Sequence, residues 1–385
     1  SYSVTGVQTC ALPISQEPAA VEALIRALRD PDEQARREAA RSLGRMKAAG
    51  AVSALDRQLR SGPMEDRLEA LDALHQIRKG EPAWTAELLR LTGSRLEGLQ
   101  ARALDLLAEL ADPEVYPKVE RLGRTRSWMV RSAFYGFAAA LRDPRAIPLL
   151  IERLGQETGR LKDEVESALL KIAGLTFGYD LRRWNQWWSE VKDGFVPPPP
   201  AQGPVARSSR YGNTYYGIPV VSRRVAFILD VSGSMAAKIG TGGRTRLDRA
   251  KEALAESLTR FQKETSFNVI FFHSTVSAWE RQLTPALPDA MRRALAFVRS
   301  QEPTGATNLH GALELAFADP EVDTIYVLSD GSPTTGTIIE PERLLEEVLA
   351  WNRSRRIVIH TISLGVKSDL LRKLSEKSGG QSVED

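Results

Sequence analysis

The chain has a single cysteine, Cys10, in 385 residues. No intrachain disulfide can form, so each domain has to stand on its apolar core. No run of about 18 apolar residues occurs, which excludes a membrane-spanning helix in the given chain. An excess of one charge sign is also missing. Lys plus Arg total 52 against 49 Asp plus Glu, a net charge of +3, which argues against a dedicated nucleic-acid binder. Histidine is scarce, and the four present, His75, His273, His310 and His360, show no metal-ligand spacing. His310 stands three residues after Thr307 and is read as a surface or structural residue rather than part of a cleft. The nucleophile-elbow pattern G-x-S-x-G is absent. Gly240-Thr-Gly-Gly243 lacks the Lys-Ser/Thr ending of a phosphate loop and reads as a mobile loop.

What is present is ordinary for a globular protein: 42% hydrophobic and 26% charged residues, at a length that holds two or three domains. The start is the exception. Val4 to Ile14, VTGVQTCALPI, looks like a translated sequencing-library adapter. The expectation is that residues 1–16 are an artefact or a disordered tail, that Cys10 is not a natural residue, and that the true N-terminus is missing. The compartment is then open, because a leader could have been lost with it.

From about Glu17 to Trp188 one pattern recurs. Leu28, Leu59, Leu91, Leu122 and Leu154 are spaced by 31, 32, 31 and 32 residues. Each closes an amphipathic stretch such as Val21, Leu24, Ile25 and Leu28, whose spacing puts the apolar side chains on one helix face. A polar turn and a second apolar helix follow, for example Ala39, Ala40, Leu43 and Met46, or Ala103, Leu104, Leu107 and Leu110. Asp-Pro steps at Asp30, Asp112 and Asp143 fall at helix ends, where the missing proline donor is tolerated. A pair of short helices cannot bury its stripe alone, so five pairs are expected to stack as an α-solenoid over residues 17–190. Trp184, Trp187 and Trp188 share one helix face and are read as the cap of the last repeat rather than a ligand platform. Residues 191–220, with Pro197 to Pro200 and a Gly, Ser, Arg and Tyr-rich stretch, read as a linker. The passage from Tyr215 to Arg224 is expected to enter the next domain as an edge strand.

The segment 221–385 changes character. Val225 to Leu229 is a continuous apolar run, as in a parallel strand covered on both faces. Helical and strand patterns then alternate: helices over 247–263, 288–298, 309–317, 341–352 and 368–377, and strands over 267–272, 324–328 and 357–362. Alternation of this kind predicts a doubly wound α/β sheet, with its ligand site beyond the carboxyl ends of the strands. Asp230, Ser232 and Ser234 follow the first strand, Thr307 precedes a helix, and Asp330 follows the strand ending at Ser329. Two carboxylates and three hydroxyls form an all-oxygen donor set that suits Mg²⁺, Mn²⁺ or Ca²⁺ and would hold zinc or copper poorly.

Asp30-Pro-Asp-Glu-Gln-Ala-Arg-Arg-Glu-Ala-Ala-Arg-Ser-Leu-Gly44 resembles a HEAT repeat, and the third repeat departs from it in having Gln100 where the first has Arg36. Asp230-x-Ser232-x-Ser234 with Thr307 and Asp330 resembles the metal-ion-dependent adhesion site of the von Willebrand factor A family, over about Arg223 to the end. The pairing of the two is similar to bacterial proteins that join a HEAT array to an A domain. The resemblance implies that Ser232, Ser234 and Thr307 coordinate an ion directly, that Asp230 and Asp330 act directly or through water, and that an open position takes an Asp or Glu of a protein partner. The expected function is thus metal-dependent protein binding, without catalysis, with the array as scaffold or second surface. Two alternatives stand beside it. One is a metal-assisted hydrolase, for which His273 and His310 are the visible candidate bases. The other is a purely structural scaffold.

Overall fold

A computed structural model describes residues 18–199, 212–239 and 243–385. The adapter-like stretch, most of the Gly, Ser and Arg-rich segment with Arg207 and Arg210, and Gly240 to Gly242 lie outside the described residues. The chain packs as two compact units that meet in sequence between Val115 and Tyr116.

The first unit holds three helix pairs: α1 (Pro18–Ala27) with α2 (Glu33–Arg45), α3 (Val52–Ser61) with α4 (Met64–Arg78), and α5 (Pro82–Leu91) with α6 (Glu97–Leu110). Asp32 caps α2 by accepting from the Ala35 amide, which stops the helix from starting earlier. The apolar stripe predicted from the spacing is the packed one: Ala39, Ala40, Leu43, Ala70, Leu71, Leu74, Ala103, Leu104 and Leu107 are buried. Gly44 has a separate reason to be small. A Cβ there would lie 2.8 Å from the Cα of Ala73, so α2 and α4 touch at backbone distance.

The arginine of the repeat motif has a definite job. Arg36 donates to the carbonyls of Asp30 and Pro31 in the turn before its helix and to the Asp66 carboxylate of the next repeat at 2.6 Å. In the second unit Arg131 does the same with the carbonyls of Thr125 and Arg126 and with Glu157, also at 2.6 Å. Gln100, the departure in the third repeat, still covers one carbonyl, that of Thr92, at 2.9 Å. The neutral amide replaces the turn contact but has no charge to offer a carboxylate.

The second unit continues with α7 (Tyr116–Val119), α8 (Trp128–Leu141), α9 (Ile147–Gln156), α10 (Arg160–Ala173) and α11 (Leu181–Val191). The fourth repeat is looser than its spacing predicts, because α7 has one turn and passes into a 3-10 turn over Glu120–Arg124. Leu122 is buried there all the same. Trp184 is fully buried and donates its indole N–H to the Gly178 carbonyl at 2.9 Å. Phe177, Trp187 and Phe195 close around it and Trp188 edge to face or tilted. Pro198 accepts from Arg142, so the proline stretch lies against the helices as far as it is described.

The rest of the unit is an α/β layer structure. Strands β1 (Thr214–Tyr215) and β2 (Ile218–Pro219) pair only with each other; the main sheet holds β3 (Arg224–Asp230), β4 (Ser266–Phe272), β5 (Val276–Ala278), β6 (Thr284–Pro285), β7 (Thr324–Ser329), β8 (Val358–Ser363) and β9 (Ser382–Glu384). Its order is β5-β4-β3-β7-β8-β9, with β6 also on β4. Four parallel pairings bear out the doubly wound expectation: β4, β3, β7, β8 and β9 run parallel, and the short β5 and β6 run antiparallel to β4. Helices α12 (Arg246–Thr259), α13 (Pro288–Arg299), α14 (Leu309–Ala318), α15 (Pro341–Arg355) and α16 (Asp369–Ser378) cover both faces. Two apolar clusters result, one around Phe227, Leu229, Leu254 and Phe271, the other around Ile228, Phe272, Leu313 and Ile359.

The expected edge strand is a correction. Thr214 to Pro219 folds into a hairpin of its own, turned by Tyr216 and Gly217 at φ 48° and 76°, the left-handed pair that a two-residue hairpin loop needs. Tyr215 and Ile218 are buried in the first cluster, and Tyr326 donates its hydroxyl to the Pro219 carbonyl at 2.7 Å. Aromatic burial, invisible in a Gly-rich stretch read for periodicity, holds this segment in the domain.

The helical region also meets the sheet at the end where the strands begin. Arg160, at the start of α10, donates to the carbonyls of Asp323 and Arg356 at 2.9 and 2.8 Å. Trp128 carries the Arg160 and Arg224 guanidinium groups over its ring at 5.2 and 4.6 Å.

Candidate functional site

β3 lies between β4 and β7, so the crevice at the switch in strand order opens where β3 ends, at Asp230. Asp230 is fully buried. One carboxylate oxygen accepts the Ser232 amide at 2.8 Å and the other accepts the Ser329 hydroxyl at 2.5 Å. Both donors are neutral, and no cationic side chain pairs with Asp230 among the described residues. Burial pushes its pKa up, the Ser232 and Ser329 hydrogen bonds oppose that, and nearby Asp330 adds to it.

Ser232 and Ser234 sit on the 3-10 turn that follows β3, with their hydroxyl oxygens 3.0 Å apart. Ser234 donates to one oxygen of Asp330 at 2.7 Å. Asp330 is buried and comes directly after β7. Its other oxygen meets the Arg246 guanidinium at 2.7 Å. Four of the five predicted residues thus form one connected network. Ser234 is exposed, so the network opens to solvent on its side.

Thr307 joins through its backbone. The loop carrying it is laced to the serine loop by Thr304 N donating to the Val231 carbonyl at 2.8 Å and Gly233 N to the Gly305 carbonyl at 3.0 Å. Its other side is tied to the loop after Asp330: Thr307 N donates to the Thr334 hydroxyl at 2.9 Å, and Thr334 N returns to the Thr307 carbonyl at 3.0 Å. Three loops far apart in sequence are therefore interlocked at one end of the sheet, with Thr307 itself buried. Asn308 caps α14 by accepting from the Gly311 amide at 3.0 Å.

Sequence reasoning missed Arg246 and Ser329. Ser329 looked like the last residue of a strand, and Arg246 stood just before the helix expected from residue 247, with no role assigned to it. Histidine placement is clear. His310 is buried against Trp351 at 5.5 Å, with its Nδ1 lacking a hydrogen-bond partner, a core histidine. His273 lies beside the Thr307 loop, and both its ring nitrogens face Thr275 at 3.3 to 3.5 Å.

The donor chemistry fits a hard divalent cation. All five side chains end in oxygen, none is imidazole or thiolate, and a buried carboxylate with only neutral donors is a place where positive charge is wanting. The site holds two carboxylates, and no group of three or more His, Cys, Asp or Glu side chains that could hold a metal gathers here or elsewhere among the described residues.

The profile of the von Willebrand factor type A domain matches residues 223–383, and that of HEAT repeats matches 8–75 and 83–170. Human inter-alpha-trypsin inhibitor heavy chain H3 is 33% identical over 144 residues, which cover 34% of this chain and 15% of that protein. Human von Willebrand factor A domain-containing protein 3B is 28% identical over 162 residues, 41% of this chain and 11% of that one. The chain therefore spans less than a fifth of the length of these relatives. Among solved structures, a von Willebrand factor type A protein from Catenulispora acidiphila aligns at 20% identity and a TM-score of 0.37, over 43% of this chain and 39% of that chain. Both modules are commonly used for protein–protein interaction. The chain therefore carries HEAT repeats in its first half and a von Willebrand factor type A domain over residues 223–383.

Proposed function

We propose that the A domain is a metal-dependent protein-binding module. In this reading Ser232, Ser234 and Thr307, with Asp230 and Asp330 directly or through water, hold Mg²⁺, or Mn²⁺ or Ca²⁺ in its place. When bound, the ion supplies an electrophilic position for an Asp or Glu side chain of a protein partner. The observation that carries the reading is Asp230, a fully buried carboxylate at the open end of the sheet that meets only neutral donors. Ser329 and the Ser232 amide fix its orientation, and the exposed Ser234 marks the side from which a partner arrives. The HEAT repeats serve as scaffold or second binding surface. Binding is preferred to hydrolysis because the two histidines considered as bases are otherwise engaged, His310 packed against Trp351 and His273 hydrogen-bonded with Thr275.

The test is capture of partners by the full chain with Mg²⁺ or with chelator, comparing wild type with Asp230→Ala. Capture that needs Mg²⁺ and is lost in the folded variant is expected. Equal capture with and without Mg²⁺, or a variant that keeps the metal effect, would end this reading.

A further inference from the structure

The geometry points to Arg246 as a resident counter-cation that holds Asp330 in the ion-free protein and competes with a divalent ion for it. The inference rests on the metal reading above and assigns a role to a residue outside the five-oxygen set.

Three observations converge on it. Arg246 Nη1 lies 2.7 Å from the Asp330 oxygen that Ser234 leaves free, and the Asp330 side chain is wholly buried while that of Arg246 is 21% exposed. Arg246 is also the first residue of α12, where the helix dipole disfavours a cation and favours an acid. Helix formation gives no reason for an arginine at that position, whereas the carboxylate opposite does. Third, the fold reserves room for the guanidinium. A Cβ on Gly365 would lie 2.6 Å from Arg246 Nη2 and 3.1 Å from Cζ, and Gly365 stands at φ 71°. The Arg246 amide donates to the Ala237 carbonyl at 2.9 Å, which pins the start of α12 to the serine turn.

The two site carboxylates are thereby unlike. Asp330 has a cation built into the fold, and Asp230 has none among the described residues. An ion entering beside Ser234 would share Asp330 with a fixed positive charge. Like charges a few ångströms apart in a partly buried site repel by enough to weaken binding about tenfold or more. Arg246 thus keeps the apo site folded and its affinity for the ion low, so that a partner's carboxylate is needed to complete a stable complex.

The test uses the full chain and Mn²⁺ alone, with calorimetric titration and melting curves for wild type, Arg246→Gln and Arg246→Lys. Arg246→Gln is expected to bind Mn²⁺ about tenfold more tightly than wild type, to melt lower without the ion, and to gain more on its addition. Arg246→Lys, which keeps the charge, is expected to stay within about threefold of wild type and serves as the readout if the glutamine variant does not fold. Equal or weaker binding by Arg246→Gln, or a tenfold loss in Arg246→Lys, would show that Arg246 only orients Asp330 and would overturn the inference. No Mn²⁺ binding by wild type and Arg246→Gln alike would instead sink the metal reading itself.

Discussion

Replacing Arg160 with alanine should loosen the helical region from the base of the sheet. Its guanidinium donates to the carbonyls of Asp323 and Arg356, lies over Trp128, and has Glu164 3.1 Å from its Nε. Asp323 O already serves Val358 N at 3.0 Å, so it keeps one partner when Arg160 is removed; the Arg356 carbonyl loses the guanidinium contact. Charge-assisted hydrogen bonds contribute about 1.5–3 kcal/mol each, and a desolvated cation–π contact about 1–2 kcal/mol. Water entering the gap offsets part of the loss, which leaves about 3–4 kcal/mol for Arg160→Ala. The Glu164 pair is partly exposed, so Glu164→Gln should cost less than about 1 kcal/mol. Because the chain has two compact units, a single global transition is not the right measure. Urea unfolding followed by hydrogen exchange, resolved on peptides spanning 320–325 and 355–360, isolates the affected region. Protection lost there in Arg160→Ala and kept in Glu164→Gln is the expected pattern. A cost below about 1 kcal/mol, or equal losses in the two variants, would refute the view that Arg160 is the clamp.

Three further outcomes follow from the same coordinates. Trp184→Ala removes a fully buried indole and its bond to Gly178, and should cost about 3–5 kcal/mol in chemical unfolding of the helical region; a loss under about 1 kcal/mol would mean the aromatic cap is not structural. His360 is held down at about 4 by burial and by the Arg160 charge. The unfolded chain therefore takes up this proton first as pH falls below about 6.5, so stability declines from there toward pH 4, by up to about 3 kcal/mol. His360→Gln should flatten that part of the pH–stability curve, and an unchanged slope would remove the group from consideration. Burial raises the pKa of Asp230, so protons should compete with an ion at higher pH than at an ordinary aspartate near pH 4; the rise in melting temperature on adding Mg²⁺ should shrink as pH falls through that region, and a pH-independent rise would contradict it.

The sequence by itself determined the longer helices and strands and the oxygen character of the side chains at the strand ends. The 31- and 32-residue spacing of Leu28, Leu59, Leu91, Leu122 and Leu154 marked positions that are all buried, because a helix face repeats locally and needs no distant partner to be recognised. The continuous apolar run over Val225 to Leu229 and the alternation after it announced a parallel sheet, since only covered strands dispense with a polar face. Asp230, Ser232, Ser234 and Asp330 could be named before any coordinates, because residues at strand ends in a doubly wound sheet have one rim to share. Tertiary structure alone decided what lies between elements. The hairpin at Thr214–Pro219 exists because Tyr215 and Ile218 find a core to enter, and two short strands carry too little periodicity to reveal that. Arg246 reaches Asp330 across 84 residues, and Arg160 reaches Asp323 across 163. Neither pairing leaves a local signature, because a long charged side chain is at home on any helix surface until the fold puts an acceptor opposite it.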